Sequence, residues 1–189
     1  MRRVYLIRHG LTEGNRLRRY IGRTDEPLCA AGRAALSAAP LKEIETVYVS
    51  PLLRARETAA ILFPHARQIV VDGLREMDFG AFENRSADDM KNDAAYRAWV
   101  DGLCEGDCPG GENRRGFVAR TVRAFENICA AGGDAPLVIV AHGGTVMALM
   151  SELGEPKKDY WAWHVGAGGC LRCALDGGRL LYEGDGFDA

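Results

Sequence analysis

VYLIRHGLTEGN, residues 4–15, joins an apolar run to a charged pair near the start of the chain. The run over residues 4–7 is rich in β-branched and aromatic side chains, which predicts a short buried strand. Arg8 and His9 follow at the carboxyl end of this strand, the edge where ligands bind in open α/β sheets. Gly10 then lets the backbone turn sharply. Because a guanidinium fork suits phosphate or carboxylate and an imidazole is a nucleophile or a base, this stretch predicts a phosphate site.

A second predicted strand, TVYVS over residues 46–50, also ends close to an arginine. Pro51 breaks the strand, and a helix over residues 52–62 carries Arg54 in its first turn. This helix therefore places a second guanidinium just past the carboxyl end of a strand.

A third predicted strand, LVIVA over residues 137–141, is the clearest buried strand of the chain and delivers His142. Gly143 follows, and the helix predicted over residues 145–153 has first N–H groups that face an anion. Parallel strands bring their carboxyl ends to one edge of a sheet. The two arginines, two histidines and helix N-terminus therefore predict an electropositive cage for a phosphoryl group.

The remaining chain alternates strands and helices. Helices are predicted over residues 30–39, 86–100 and 112–131, with Ser86 as the N-cap of the second. A short strand is predicted over residues 68–71, and loops are predicted over residues 17–28 and 74–84. Strands over 171–175 and 179–182 flank Asp176, Gly177 and Gly178, the signal of a β-hairpin, and residues 184–189 are expected to fray. This order predicts an α/β protein, a three-layer α/β/α sandwich with a mostly parallel central sheet, in one domain over residues 1–189.

Charge is unevenly distributed along the chain. The formal net charge of -2 argues against a general nucleic-acid binder, but residues 1–24 hold seven arginines and a single acid, Glu13. A solvated arm that contacts RNA is the alternative for Arg16, Arg18, Arg19 and Arg23, although no aromatic platform for single strands accompanies them. We expect these arginines to attract an anionic small molecule to the pocket.

The chain shows neither a signal peptide nor a membrane span by sequence. Arg2 and Arg3 precede only four apolar residues, and the later run over residues 137–141 is too short to cross a bilayer. We therefore expect a soluble, cytoplasmic protein whose six cysteines are thiols. Cys170 and Cys173 form a CxxC, but residues three apart in a strand point to opposite faces, so we expect no zinc site.

Other phosphate chemistries do not fit the sequence. Cys108–Arg114, CPGGENR, has the C-x5-R spacing of cysteine phosphatases, but no apolar strand precedes Cys108 and Glu112 would repel an anion. A Walker A lysine pattern is absent, and the DFG of residues 78–80 lacks the other kinase signatures.

Four segments together carry a resemblance to a known family: RHGLTEGN (8–15), SPLLRARETA (50–59), LREMDFGAFEN (74–84) and VIVAHGGT (138–145). They resemble the motifs of the histidine phosphatase superfamily, also called phosphoglycerate mutase-like. The resemblance implies that His9 is the phosphorylated nucleophile and that Glu76 is the proton donor. It also implies that Arg8, Arg54 and His142 hold the phosphoryl oxygens, with Asn15 beside the phosphate.

Within this superfamily the chain is most similar to small phosphatases of the α-ribazole phosphatase type. The segments MDFGAFENRS (77–86), MKNDAAYRAW (90–99) and WAWHVGAGGC (161–170) carry this similarity. Cys29 departs from the usual threonine after PL and Phe82 from the common tryptophan after FG, both near the expected pocket. Trp161 and His164 are candidates for lining the pocket, and a packing role for them stays open.

The resemblance implies a phosphomonoesterase that acts through a phosphohistidine on a small phosphorylated metabolite, without metal or other cofactor. α-Ribazole 5′-phosphate, of cobalamin biosynthesis, is the favoured substrate. The alternatives are a broad-specificity sugar or metabolite phosphatase, a phosphoglycerate mutase and, from another class, a module that senses a phosphorylated ligand without turnover. For Glu76 the alternative is a surface ion pair with Arg75 or Arg85. Nothing in the sequence indicates an oligomeric state.

Overall fold

A computed structural model describes residues 1–131 and 133–187 of the chain. In this part of the chain seven strands form one sheet in the order β3-β2-β4-β1-β6-β7-β5. The strands are β1 (Arg2–Arg8), β2 (Thr46–Val49), β3 (Arg67–Val70), β4 (Leu137–Ala141), β5 (Gly154–Glu155), β6 (Cys170–Asp176) and β7 (Arg179–Asp185). Strands β1 to β4 are mutually parallel, and β6 runs antiparallel to both of its neighbours. The predicted mostly parallel sheet with an edge hairpin is confirmed.

Six α-helices connect these strands within the described residues. They are α1 (Glu13–Arg16), α2 (Ala30–Ala34), α3 (Leu53–Leu62), α4 (Ala94–Asp101), α5 (Arg114–Ala131) and α6 (Gly143–Leu153). Short 3₁₀ turns occupy Asp72–Leu74, Gly80–Phe82 and Tyr160–Trp163.

The sheet is covered on both faces, so its central strands are apolar throughout. Leu6 of β1 packs in one core with Phe125 of α5 and Met150 of α6. Its neighbour Ile7 points to the opposite face and packs in a second core with Ala59 of α3. Full burial of such a side chain contributes about 1.5–3 kcal/mol. These two cores confirm the three-layer α/β/α arrangement.

Strand register determines which residues meet at the carboxyl edge. Arg8 of β1 is paired with Ala141 of β4, and Val49 of β2 is paired with Val140 of the same strand. His9 and His142 therefore leave the sheet side by side.

The predicted helix over residues 86–100 is wrong over its first half. The helix α4 begins at Ala94, because the Asp93 carboxylate accepts the N–H groups of Ala95 and Tyr96 at 3.0 and 3.3 Å. Ser86 caps a separate turn, in which its hydroxyl accepts the N–H of Asp89 at 3.2 Å. Side chains of this kind compete with the helix for backbone hydrogen bonds, so the polar run before residue 94 forms turns.

The other predicted element boundaries differ less from those of the structure. The helix predicted over residues 30–39 ends at Ala34, because the following chain turns to bond Ala39 N–H to the Leu62 carbonyl at 2.8 Å. The helix predicted from residue 145 begins at Gly143. The tail predicted to fray from residue 184 is instead part of β7 up to Asp185. Residues 188 and 189 of that prediction lie outside the described residues.

The predicted placement of Cys170 and Cys173 on opposite faces of their strand is confirmed by the sheet. Cys170 and Cys173 of β6 are buried in the two different cores, on opposite faces, and neither forms a disulfide bond. Within the described residues, none of the helices combines the length and apolar character that crossing a membrane requires.

Candidate active site

The carboxyl edge of the sheet forms the floor of a cavity of about 260 Å³. His9 lines the cavity, and its ring lies edge to face with that of His142, with the two centroids 5.1 Å apart. Arg8 and Asn15 line the cavity from the β1 side, and Glu76 lines it from the segment that follows β3. The structure therefore brings together side chains that the sequence places on separate strands and loops.

His9 is held in one tautomer. Its Nδ1 lies 2.7 Å from the carbonyl oxygen of Gly10, which can only accept, so Nδ1 carries the proton. Nε2 therefore keeps its lone pair and accepts the Nε–H of Arg54 at 3.3 Å. Burial, followed by the positive charge of Arg54, lowers the pKa of His9 to about 3. The ring is therefore neutral at ordinary pH, with an unprotonated nitrogen available for attack.

Arg54 is fully buried and anchored by the loop between α1 and α2. Its Nη1 donates to the Thr24 carbonyl at 2.7 Å, and its Nη2 donates to the carbonyls of Ile21 and Gly22 at 3.2 and 2.8 Å. These carbonyl partners compensate the guanidinium for lost water and fix its direction beside His9.

Arg8 is held from the opposite side, by the chain between β5 and β6. Its Nη1 donates to the Val165 carbonyl at 2.7 Å and to Nε2 of His164 at 3.3 Å. Burial lowers the pKa of Arg8, and the Glu76 carboxylate opposes this effect. Its Nε is buried without a hydrogen-bond partner, as are Oδ1 of Asn15 and Nδ1 of His142. Buried polar groups are normally satisfied, so three unpaired atoms at one place indicate a polar ligand.

Two hydroxyl groups at the site were not identified as functional from the sequence. Ser50 lies 2.7 Å from Nε2 of His142 and leaves Nδ1 as the free ring nitrogen. Thr58 accepts the N–H of Gly10 at 2.9 Å and donates to the Arg54 carbonyl at 2.7 Å. Both residues belong to the segment SPLLRARETA, and the position of Thr58 one helical turn after Arg54 could have indicated that the two side chains lie on the same face of the helix.

Gly10 turns without the backbone conformation that only glycine tolerates, which corrects the sequence interpretation. It is absent from the residues of positive φ, and a Cβ there would lie 2.9 Å from a methyl carbon of Leu36. Its small size, and not its freedom of rotation, is what the fold uses at this position.

Glu76 faces the cavity from an irregular segment. Its two carboxylate oxygens accept the N–H groups of Met77 and Gly144, each at 2.9 Å. Burial raises the pKa of Glu76, although these hydrogen bonds and the two arginines oppose the shift. The alternative of a surface ion pair is wrong, since Arg75 pairs with Asp72 and Arg85 with Asp93.

Comparison with known proteins identifies the family. A model described as the histidine phosphatase superfamily, branch 1, matches residues 4–183. The chain belongs to the histidine phosphatase superfamily. The resemblance of the motifs is thereby confirmed.

A relative from Hydrogenobacter thermophilus named "Putative phosphoserine phosphatase 2" is 31% identical over 193 residues, covering 96% of this chain and 95% of that protein. The α-ribazole phosphatase from Shigella flexneri has a solved structure that superposes with a TM-score of 0.83 at 25% identity, covering 96% of this chain and 94% of that one. The phosphoglycerate mutase from Thermus thermophilus gives a TM-score of 0.72 at 31% identity, covering 98% of this chain and 99% of that one. The fold is therefore phosphoglycerate mutase-like, and the protein is an enzyme of the phosphatase and mutase type.

The outer wall of this histidine phosphatase's cavity is largely aromatic. It is lined by Tyr20, Phe79, Trp99, Tyr160 and Trp161, together with His164. Trp161 is 53% exposed at the mouth, whereas Trp99 is buried. Of the two roles left open for Trp161 and His164, the structure shows that both residues line the cavity.

Two arginines also reach the outer part of the cavity. Arg19 donates to the side-chain oxygen of Asn84 at 3.2 Å. Arg114 pairs with Glu105, and its guanidinium carbon lies 5.0 Å from the centroid of the Tyr160 ring.

The two departures from the family motifs lie outside the cavity lining, contrary to expectation. Cys29 is the N-cap of α2, where its sulfur accepts the N–H of Gly32 at 3.3 Å. Phe82 is fully buried and packs against Trp99 at a centroid distance of 5.4 Å. Its influence on the pocket is therefore indirect.

The other candidate chemistries find no support in the geometry. Burial raises the pKa of the Cys108 thiol to about 12, which disfavours a thiolate nucleophile. In the described part of the chain, no group of three or more His, Cys, Asp or Glu side chains is arranged to hold a metal ion.

Proposed function

We propose that this histidine phosphatase hydrolyses a small phosphomonoester through a phosphohistidine on His9. The observation that carries the proposal is the fixed tautomer of His9, which leaves Nε2 unprotonated in a ring that lines the same cavity as Glu76. An attacking nitrogen and a proton-donating acid in one pocket are the two groups that a two-step phosphoryl transfer requires.

In the first step the Nε2 lone pair of His9 attacks phosphorus while the bond from phosphorus to the ester oxygen breaks. Glu76 gives its proton to that oxygen, so the leaving group departs as a neutral alcohol. In the second step a water molecule attacks phosphorus and gives a proton to the Glu76 carboxylate. The bond from Nε2 to phosphorus breaks, and inorganic phosphate leaves with His9 and Glu76 restored.

The unpaired polar atoms of the site provide the phosphoryl cage. Arg8 and Arg54 supply positive charge, and His142 supplies Nδ1, the nitrogen that Ser50 leaves free. Asn15 can present its amide NH₂ after a 180° rotation of the side chain, and Gly143 at the start of α6 completes the cage. Donors fixed in place before the reaction stabilise transition-state charge without reorganisation.

Glu76 suits its role because burial raises its pKa, the direction that favours a proton donor. Protonation of a poor alkoxide leaving group by a positioned acid contributes about 10²- to 10⁴-fold. A bound phosphate dianion would raise the Glu76 pKa further.

The aromatic outer wall favours a leaving group with a flat apolar base. α-Ribazole 5′-phosphate, of cobalamin biosynthesis, is therefore the leading candidate, and the name of the Shigella flexneri structural neighbour supports it. The cavity of about 260 Å³ is slightly smaller than the usual range for ligand pockets, about 300–1,000 Å³, so a small ester fits better than a large one.

A second candidate substrate is a phosphorylated carboxylic acid. Arg19 and Arg114 on the outer part of the cavity favour it, because guanidinium groups pair well with carboxylates. The names of the phosphoserine phosphatase and phosphoglycerate mutase relatives point to the same chemical class.

The test compares kcat/KM for α-ribazole 5′-phosphate, phosphoserine, 3-phosphoglycerate and glucose 6-phosphate, with free phosphate and isomerised product measured separately. We expect phosphate release from α-ribazole 5′-phosphate to be most efficient and 2-phosphoglycerate to be undetectable. Efficient interconversion of phosphoglycerates would replace the hydrolase with a mutase, and preference for glucose 6-phosphate would favour a broad-specificity phosphatase.

Variants separate the two leading substrate classes. Trp161→Ala should lower kcat/KM for α-ribazole 5′-phosphate about tenfold and leave phosphoserine within about threefold, because stacking on an aromatic ring contributes roughly 1–3 kcal/mol. If the natural substrate carries a carboxylate, Arg114→Gln should instead lower kcat/KM for phosphoserine more than kcat/KM for α-ribazole 5′-phosphate. Arg115→Gln is the matched control, since Arg115 is exposed and does not line this cavity.

A further inference from the structure

Glu76 lies in a segment that has no regular secondary structure. Residues 75–79 are neither helical nor in a strand, so no ladder of backbone hydrogen bonds holds the segment in place. The angle and distance of a general acid nevertheless decide its efficiency, and displacement by about 1 Å can reduce the rate about 10²-fold. Other contacts must therefore fix this segment.

Arg120 of α5 supplies those contacts. Its Nη1 donates to the carbonyls of Gly73 and Arg75 at 3.0 and 3.1 Å, and its Nη2 donates to the carbonyl of Glu76 at 3.4 Å. One guanidinium thus bonds two carbonyls of the segment that carries the proposed acid and one carbonyl, that of Gly73, just before it.

Glu112 holds Arg120 and the segment at the same time. Its carboxylate accepts Nε and Nη2 of Arg120 at 3.0 and 2.7 Å, the bidentate geometry that aligns a guanidinium most strongly. The same carboxylate accepts the N–H of Asp78 at 3.0 Å, and the Glu112 N–H donates to the Asp78 carbonyl at 2.9 Å. Arg120 and Glu112 therefore tie down the chain on both sides of Glu76.

We propose that Arg120 and Glu112 form a clamp that positions Glu76 for proton donation to the leaving group. The proposal rests on the proposed role of Glu76 as the acid. Arg120 and Glu112 are absent from the cavity lining, so they are positioning residues and not catalytic ones. Since Glu112 balances the charge of Arg120, the clamp acts on the geometry of Glu76.

The test uses substituted phenyl phosphates, which change leaving-group basicity while the ring stays nearly constant in shape. For Arg120→Met, kcat/KM should fall about 10²-fold on phenyl phosphate and less than about threefold on 2,4-dinitrophenyl phosphate, whose leaving group needs no proton. Arg120→Lys keeps the charge but loses the fork, so we expect the same selectivity. Arg123→Met, in the same helix and outside the cavity lining, is the control and should behave like wild type on both esters.

A double variant separates positioning from general structural damage. In the Glu76→Gln background the acid is already lost, so adding Arg120→Met should reduce phenyl phosphate turnover less than about twofold further. Equal loss of both esters in Arg120→Met and Arg120→Lys, or full additivity with Glu76→Gln, would overturn the clamp.

The same data distinguish failure of the clamp from failure of the proposed function. If Glu76→Gln is selective for phenyl phosphate and Arg120→Met is not, only the clamp is wrong. If Glu76→Gln itself lowers kcat/KM equally for both esters, the assignment of Glu76 as the acid is wrong, and so is the clamp proposal that rests on it. Should Arg120→Met fail to fold, Arg120→Lys and Glu112→Gln carry the comparison.

Discussion

His9, the proposed nucleophile, shows how burial keeps an imidazole unprotonated. An exposed histidine of ordinary pKa is partly protonated near neutral pH, and its protonated form cannot attack phosphorus. Burial and Arg54 lower the pKa of His9 to about 3, and the Gly10 carbonyl places the remaining proton on Nδ1. Nε2 is thus unprotonated at every pH at which the enzyme is expected to work.

Replacement of this proposed nucleophile tests the proposed covalent mechanism. We expect His9→Ala to reduce kcat on the order of 10⁴-fold or more, as loss of other covalent nucleophiles does. Rapid quench of wild-type enzyme with ³²P-labelled substrate should trap an acid-labile, base-stable phosphoenzyme. The circular dichroism spectrum of the variant should be unchanged. Label retained by folded His9→Ala would move the phosphorylation site elsewhere.

The pH dependence of kcat/KM follows from the two opposite pKa shifts. His9 must be unprotonated, and its pKa of about 3 means that no loss of activity from its protonation occurs near pH 6.5. Glu76 must be protonated, so activity on phenyl phosphate should fall as pH rises through its raised pKa. A pH profile of Glu76→Gln should lack this alkaline decrease, as should wild type with 2,4-dinitrophenyl phosphate. An alkaline decrease that persists in Glu76→Gln would assign it to another group.

At the scale of elements, strand register and one helix start build the site. The register of β1 and β4 places His9 beside His142, and α6 begins immediately after the latter. The N–H of Gly144 in the first turn of α6 donates to Glu76, so this helix terminus holds the proposed acid in addition to facing the phosphoryl site. Partial positive charge at a helix N-terminus favours a carboxylate there, which limits how far burial raises its pKa.

Gly144 tests this contact between α6 and the acid. A Cβ built at Gly144 lies 2.2 Å from one carboxylate oxygen of Glu76, so Gly144→Ala must displace that carboxylate. We expect kcat/KM on phenyl phosphate to fall about tenfold or more, with a smaller loss on 2,4-dinitrophenyl phosphate. Thermal stability should change little, because alanine is favoured over glycine in a helix by roughly 1 kcal/mol.

The control for this variant is Gly106→Ala, where a Cβ meets nothing within 4 Å. Its activity should equal that of wild type on both esters. A Gly144→Ala enzyme with unchanged activity on phenyl phosphate would show that the carboxylate position is not critical.

At the scale of the whole molecule, positive charge is concentrated at one edge of a chain whose formal net charge is -2. Arg8, Arg19 and Arg114 line the cavity, and the buried Arg54 bonds His9, which also lines it. Such concentrated charge attracts an anionic substrate and stabilises charge that develops on its phosphoryl oxygens.

Because side chains supply this charge, we expect activity to be independent of divalent metal ions. Exhaustive treatment with EDTA followed by gel filtration should leave kcat/KM for p-nitrophenyl phosphate within about twofold of the untreated enzyme. A known metal-dependent phosphatase treated in parallel verifies that chelation was complete. Loss of activity that Mg²⁺ or Zn²⁺ restores would contradict the proposed cage.

Prediction from the sequence succeeded for elements whose burial is already visible in a short stretch of the chain. The apolar runs of β1 and β4 are recognisable as buried strands from composition alone. The polar residues that follow these runs therefore lie at the carboxyl edge of the sheet. It failed over residues 86–93, because polar side chains there bond backbone N–H groups in turns that helical periodicity does not reveal. Boundaries of short elements such as α2 likewise depend on what the following chain contacts.

The sequence by itself determined the α/β class, the strand ends that carry His9 and His142, the helix that carries Arg54, and the family motifs. Only the tertiary structure decided how those groups are held. Ser50 and His142 are 92 residues apart, and Glu76 and Gly144 are 68 residues apart. Hydrogen bonds over such separations form only after the sheet and its helices pack, since their geometry depends on distances of a few tenths of an ångström that no local pattern encodes.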